Sequence, residues 1–341
     1  MATYPITLIT RDMQQVQFDC QTDEDVISAA ERQSIILPQQ CRSGACGLCS
    51  SVFVQGEYEF TDYNETALPA ELRAQHKTLL CRTYPRSALA INTDYNYQTI
   101  HFGHIPEAIC TIVEKTDLTA DVIKLVLQQG EAQESLLSAN IIAGQYMHLM
   151  PMDKQIKRAY SLANISNWEG RLEFLIQLRP EGQFSKHLKT LKVGDSLIAR
   201  GTLGEFQLQD NGLKPRWFIA GGTGLSPLLA MLKQMADFAE MHPSRLFFGL
   251  RHTNDVFCES DLQDLQAQLL DFQYQICLSR EQDSNYYNGS IVQAVETALI
   301  NLTEKPDVYL CGSDRLVDSL LPKLQAHGIT ENSIYFERFS G

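Results

Sequence analysis

The sequence predicts a multi-domain protein of the α+β and α/β classes: a small cysteine-bearing unit, then an antiparallel β-barrel, then an open parallel sheet with covering helices. Three observations carry this. At 341 residues the chain exceeds the ~100–200 residues of one ordinary domain. Short strand-like stretches separated by turn residues fill its middle. Beyond Leu213, strand and helix patterns alternate, as in a parallel sheet with crossover helices. The expected divisions are 1–97, 105–210 and 211–341.

In the first division, Ile6–Thr10 and Gln15–Phe18 read as strands. A helix is expected over Asp23–Arg32, because Thr22 or Asp23 can cap it and Val26, Ala29 and Ala30 share one face. Pro38 stops continuation, and strand character returns at Ser50–Val54 and Ala88–Thr93. The polar, aromatic stretch Asp94–His104 has no clear period and reads as a linker. The barrel strands are expected at Ala108–Lys115, Val122–Leu127, Tyr146–Met150, Leu172–Gln177 and Ser196–Ala199. In the last division the strands are Trp217–Ala220, Leu246–Leu250, Gln273–Leu278 and Val308–Cys311, and the helices Pro227–Met241, Asp261–Leu270, Ile291–Leu299 and Leu316–His327.

Apolar residues make up 44% of the chain and charged residues 20%, the balance of a globular protein with a substantial core. The formal net charge of -13 disfavours nonspecific binding to nucleic acid or anionic lipid, since both need a positive surface. Residues 1–100 hold seven Lys/Arg and twelve Asp/Glu, a net of -5; this is either a plain solvated surface or a field that steers a basic partner. Met1 to Gln15 lacks a basic segment followed by an apolar run, and no window approaches the ~18 apolar residues of a membrane span. A cytoplasmic location and no membrane partner are therefore expected. In a reducing compartment, nine cysteines point to ligands, core thiols or catalytic groups rather than disulfides.

Cys41, Cys46 and Cys49 form a C-x4-C-x2-C run, and Cys81 follows after 31 residues. This is the plant-type [2Fe–2S] ligand spacing. Four thiolates must converge on two irons, and Gly44, Ala45 and Gly47 keep the loop slim enough for backbone N–H groups to face the sulfurs. A structural zinc site usually presents two short Cys/His pairs, whereas three ligands here crowd one loop. The segment resembles the ferredoxin domain of bacterial ring-hydroxylating dioxygenase reductases, which implies a β-grasp ferredoxin fold. Cys20, Cys110, Cys258 and Cys277 fit neither pattern and read as core or surface thiols.

Arg158-Ala-Tyr160-Ser161 offers an arginine for a pyrophosphate, an aromatic plane for an isoalloxazine and a hydroxyl for flavin N5. The plain alternative is an exposed arginine beside a buried tyrosine. Gly182-Gln-Phe-Ser185, at the mouth of a helix, adds backbone N–H groups and a hydroxyl for phosphate. With Gly201-Thr-Leu-Gly204-Glu-Phe206 downstream, the order of motifs resembles the ferredoxin–NADP reductase superfamily. That resemblance implies that Arg158, Tyr160 and Ser161 hold FAD, that Gly182 and Ser185 contact its phosphates, and that Ile176, Gln177 and Leu178 run along the ring edge. Relatives often carry arginine where this chain has Gln177. In an extended strand Arg179 faces the same side and either takes over that contact or leaves it absent.

Gly221-Gly222-Thr223-Gly224-Leu-Ser226-Pro227 joins a buried-looking strand to a helix, with Ser226 as the expected cap and Pro227 in the first turn. Such glycines let a pyrophosphate approach backbone N–H groups at a helix N-terminus, although a tight turn without a ligand looks the same. Cys311 ends a strand where open α/β sheets bind ligands. The superfamily has a cysteine there, beside the nicotinamide. Phe336-Glu337-Arg338-Phe339 resembles the Glu-Lys-Phe ending of benzoate- and anthranilate-type dioxygenase reductases. The resemblance implies that Ser161, Cys311 and Glu337 surround the reacting atoms and that Phe339 contacts FAD; the alternative is an ordered surface tail. It also implies NADH as donor, while Ser279, Arg280 and Arg251 are the basic or hydroxyl groups that would accept an NADPH 2′-phosphate.

The resemblance spans essentially the whole chain. It implies an NADH-dependent reductase that passes electrons through FAD and the [2Fe–2S] cluster to the terminal oxygenase component of an aromatic ring-hydroxylating dioxygenase. The rivals are a reductase of a diiron monooxygenase, of the phenol or methane hydroxylase type, or of another redox acceptor, and a redox-sensing protein that holds both groups without turnover.

Overall fold

The computed structural model describes residues 2–39, 42, 44–65, 67–130, 136–300 and 302–339. The chain divides after Ile105 into two compact units. In the first, strands run side by side in the order Gln15–Gln21, Thr3–Ile9, Leu89–Thr93, Ser50–Gln55 and Lys77–Leu79. The first pair is an antiparallel hairpin in which Ile6 faces Phe18, and Thr3–Ile9 runs parallel to Leu89–Thr93. Ile6 and Leu8 bury with Val26, Ile27, Ala29 and Ala30 of the helix Val26–Arg32, so the sheet grasps that helix. The helix starts later than expected: Asp25 caps it by accepting from Ser28 N–H at 3.0 Å. Neither Thr22 nor Asp23 does so, because the strand persists to Gln21 and the turn after it occupies them. Part of the expected linker also pairs back, with His101–Phe102 antiparallel to Ile35–Ile36.

The second unit holds two six-stranded sheets. The antiparallel one runs Arg158–Ser161, Tyr146–Met150, Ser196–Leu203, Glu107–Asp117, Val122–Gln129 and Arg171–Gln177. A bridge between Leu162 and Phe174 joins its two edges, which closes the barrel. Its interior is filled by Ile112, Leu125, Leu127, Met147, Leu149, Leu162, Phe174 and Ile176. Arg158–Ser161 is a strand without a sequence signature, since four residues are too few to show alternation.

The parallel sheet runs Tyr287–Asn288, Phe272–Leu278, Ser244–Leu250, Arg216–Gly221, Asp307–Gly312 and Ile334–Arg338. Strand order reverses between Arg216–Gly221 and Asp307–Gly312, which makes their carboxyl ends a topological switch point. Helices Leu225–Asp237 and Glu259–Gln268 cover one face, and Ile291–Ile300 and Asp314–Ala326 the other. Two helices end sooner than expected. The first stops at Asp237, with Ala239 in a left-handed turn at φ 50°. The second stops at Gln268, where Leu269 turns extended. Barrel and parallel sheet share one core, in which Val122, Ala143 and Leu175 pack with Leu225, Leu228 and Met231. No helix among the described residues is long and apolar enough to cross a membrane.

Candidate redox site

The switch point gathers residues from four distant segments. Gly221 ends one strand, Cys311 and Gly312 the next, and the register places Cys311 opposite Ala220 on one side and Glu337 on the other. The C-terminal residues are therefore a sheet strand and not a surface tail. The alternation of Ile334, Phe336 and Arg338 with Tyr335 and Glu337 is too short and too polar for a sequence pattern to reveal it. Ser161 reaches the same place from the barrel: its Oγ donates to Glu337 Oε2 at 3.2 Å, and Cys311 Sγ lies 4.0 Å from the same oxygen. All three are buried. Burial, reinforced by the Glu337 charge, raises the Cys311 thiol well above its ordinary pKa, so it is a neutral group at physiological pH. Phe339 follows the strand, its N–H donating to Gly312 O at 2.7 Å.

The residues expected to meet a flavin lie along the barrel edge. Arg158 is exposed, and among the described residues its guanidinium donates only to the Lys157 carbonyl, at 2.8 Å. Tyr160 packs its ring 5.6 Å from Phe184; burial pushes its hydroxyl up to about 12, leaving a neutral amphipathic ring. Gly182 caps the helix Gln183–Thr190, and Ser185 in its first turn accepts from Arg179 N–H at 3.0 Å. The strand Arg171–Gln177 ends at Gln177; beyond it Leu178 N–H donates to Asp121 O at 2.6 Å, and Arg179 follows. Gln177 is exposed and donates to Asp121 Oδ2 at 2.9 Å. Ile176 points into the barrel core, which leaves only its backbone to face a ligand.

On the nucleotide side, Gly222–Gly224 forms a 3-10 turn that runs into the helix Leu225–Asp237. Gly224, not Ser226, stands at the cap position, because the glycine turn starts the helix two residues early. Gly222 has φ 54° and nothing within 4 Å of where a Cβ would project, an opening beside the helix N-terminus that suits a pyrophosphate. Thr223 lies within this turn. Ser279 and Arg280 are exposed just past Phe272–Leu278, their N–H groups held by the carbonyls of Leu250 and Arg251 at 3.0 Å. They stand at the same carboxyl edge of the sheet as the glycine turn.

In the first unit, Cys49 and Cys81 are buried with their sulfurs 3.4 Å apart, as close as two thiolates on one iron must be. Cys46 is half-buried on the same loop, where Gly44 and Gly47 take φ of 71° and 78°. Cys41 lies outside the described residues, and among the described ones no group of three candidate ligands converges. The donor set, all sulfur with one close pair, is that of an iron–sulfur centre. Cys20, Cys110 and Cys277 are buried and Cys258 is half-buried.

Comparison with known proteins agrees along the chain. Residues 9–86 match the 2Fe-2S iron-sulfur cluster binding domain family, 109–208 the oxidoreductase FAD-binding domain family, and 218–320 the oxidoreductase NAD-binding domain family. The chain is 34% identical over 279 residues to methane monooxygenase component C of Methylosinus trichosporium, covering 81% of each. It is 32% identical over 327 residues to the toluate 1,2-dioxygenase electron transfer component of Pseudomonas putida, covering 94% of each. The chain belongs to this family of iron–sulfur flavoprotein reductases. The solved structure of the ferredoxin reductase in carbazole 1,9a-dioxygenase superposes with a TM-score of 0.75 at 25% identity, covering 99% of each chain. A reductase of this family is an oxidoreductase of the ferredoxin-reductase type that uses a [2Fe–2S] cluster, FAD and NAD(H). The slim cysteine loop, the exposed Arg158 beside the Tyr160 ring, and the open face of Gly222 fit these three groups in turn.

Proposed function

We propose that this reductase oxidises NADH and delivers electrons singly to the terminal oxygenase component of an aromatic ring-hydroxylating dioxygenase. The observation that carries the reading is the meeting of Ser161, Cys311 and Glu337 at the switch point, where the barrel edge and the nucleotide crevice converge. When bound, FAD accepts hydride from the nicotinamide and the [2Fe–2S] cluster releases the electrons one at a time.

The protein's own part is binding and alignment. Arg158 grips the flavin pyrophosphate, with Gly182 and Ser185 at a helix N-terminus beside it. Tyr160 lies against the isoalloxazine, Gln177, Leu178 and Arg179 border its edge with the backbone of Ile176, and Phe339 covers it. Ser161 presents its hydroxyl to the reacting face, held by Glu337. Cys311 fills the space beside the nicotinamide with an uncharged side chain that excludes water. Gly221, Gly222, Thr223 and Gly224 receive the nucleotide pyrophosphate, and Ser279 and Arg280 meet the adenosine ribose. Cys41, Cys46, Cys49 and Cys81 ligate the cluster. The three functional regions are 1–97, 105–210 and 211–341.

The test is anaerobic mixing of purified protein with NADH or NADPH, following flavin bleaching and the electron-spin signal of the reduced cluster, then reconstitution with candidate oxygenases. Turnover with a ring-hydroxylating oxygenase supports the proposal. No reduction by either nucleotide refutes it. The similarity to methane monooxygenase component C favours a second reading, in which the acceptor is the hydroxylase of a diiron monooxygenase; turnover with that protein alone would select it.

A further inference from the structure

The helix Leu225–Asp237 that follows the glycine turn is buried from Leu225 to Leu232 and at Met235, yet two of its polar side chains reach out to the same stretch of barrel backbone. Ser226, itself buried, donates its hydroxyl to the carbonyl of Ser161 at 2.8 Å. Lys233 donates to the carbonyl of Ala163 at 3.1 Å, with Glu173 Oε2 3.8 Å from its ammonium. Seven residues are close to two helical turns, so the two donors lie on one face of the helix. The two bonds end on carbonyls two residues apart, so one helix face meets one stretch of barrel backbone at two points. Between them Leu162 anchors the segment in the barrel core.

We infer that Ser226 and Lys233 are positioning residues, a two-point clamp by which the nucleotide-side helix sets the register of the Ser161–Ala163 backbone and thereby the place of the Ser161 hydroxyl against the nicotinamide crevice. This rests on the reading of Ser161 and the switch point as the hydride-transfer site. Glu337 fixes the Ser161 side chain; Ser226 fixes its main chain. Both anchors come from the parallel sheet and its covering helix, so the sheet that would hold the donor also locates the group that meets the acceptor. Lys233 adds a charge-assisted bond, which is stronger than a neutral one, and its half-buried ammonium is balanced by Glu173.

The test compares Ser226→Ala, Ser226→Thr and Lys233→Met holoprotein with the unaltered protein. Amide hydrogen exchange over residues 161–164 should quicken in Ser226→Ala and Lys233→Met and stay near the original in Ser226→Thr. Flavin reduction by NADH should slow roughly tenfold in Ser226→Ala, since a misplacement well under the 1 Å that costs about a hundredfold is enough. FAD content and the NADH dissociation constant should be unchanged, and threonine should restore the rate. Unchanged exchange in both variants overturns the clamp, as does a rate loss explained wholly by lost FAD. If the unaltered protein is not reduced by NADH, the hydride-transfer reading fails while the exchange data still decide whether the clamp exists.

Discussion

Replacing Gly224 with alanine tests whether the glycine turn and the Cys311 strand end form one rigid crevice. Gly224 has φ -59° and ψ -11°, a conformation alanine adopts freely, so backbone strain adds nothing. The new methyl would lie 2.3 Å from the Cys311 carbonyl oxygen and 2.7 Å from its carbonyl carbon, where ordinary contact begins at 3.4 Å. Both neighbours are main-chain atoms of a central strand and cannot swing away. The helix start and strand end must then part by about 1 Å. Overpacking of this kind costs about 1–3 kcal/mol, or roughly 2–4 °C in Tm for each kcal/mol in a unit of this size. A 1 Å misplacement at the crevice costs on the order of a hundredfold in the hydride step. Stopped-flow bleaching of the flavin by NADH measures the rate, and calorimetry the stability. Gly222→Ala is the contrast: its methyl meets no protein atom, but φ is 54°, so it carries only a backbone penalty of about 1–2 kcal/mol and should weaken NADH binding more than it slows the transfer. A Gly224→Ala protein that reduces its flavin at the original rate, or a Gly222→Ala protein slower than it, would refute the rigid-crevice argument.

Three further outcomes are expected. Cys81→Ser should abolish the visible iron–sulfur absorption while NADH still bleaches the flavin; unchanged iron and sulfide content would refute the ligand assignment. Cys311→Ala should slow flavin reduction more than it weakens FAD binding, and equal rates in single-turnover mixing would contradict its place beside the nicotinamide. Stability of the second unit should fall as pH rises from about 9 toward 12. Burial pushes the Cys110 and Cys277 thiols from 9.0 up to about 12 and Cys311 well above its ordinary value, so the unfolded chain releases those protons first and alkali favours it. The stabilising effect is complete below about 9, and a guanidinium midpoint that stays level from pH 8 to pH 11 would refute it.

How much of this was legible depended on the length of the pattern each feature leaves. The four central parallel strands are apolar-rich runs followed by helices with a 3.6-residue period, so these could be read, whereas the two edge strands could not. The cysteine loop was legible because ligand spacing is a covalent constraint. Arg158–Ser161 and Ile334–Arg338 were not, since strands of four or five mixed residues are fixed by their neighbours in the sheet and not by their own alternation. The role of Ser226 was misread for a related reason: a serine just after glycines is the usual sign of a cap, but here the glycine turn already supplies the cap and the hydroxyl is free to cross to the barrel. Lys233 left one signal, a charged residue seven positions after Ser226 at the end of the helix's apolar run, and only the fold shows what lies opposite.

The strand Ile334–Arg338 also explains how a carboxylate can be buried at such a site. Glu337 is drawn into the sheet edge because its register partner is Cys311, and there it accepts from Ser161; the bond compensates part of the cost of desolvating the charge. A negative group fixed in that position is not neutral toward the chemistry proposed. A nicotinamide that gives up hydride becomes positively charged, so a preorganised carboxylate nearby favours the state after transfer over the state before it. Burial first, and this charge second, raise the Cys311 thiol and keep it protonated. On the proposed reading one residue holds the serine, adds to the burial that keeps the thiol neutral and would support the developing charge, and each effect depends on the parallel pairing that sets Glu337 beside Cys311.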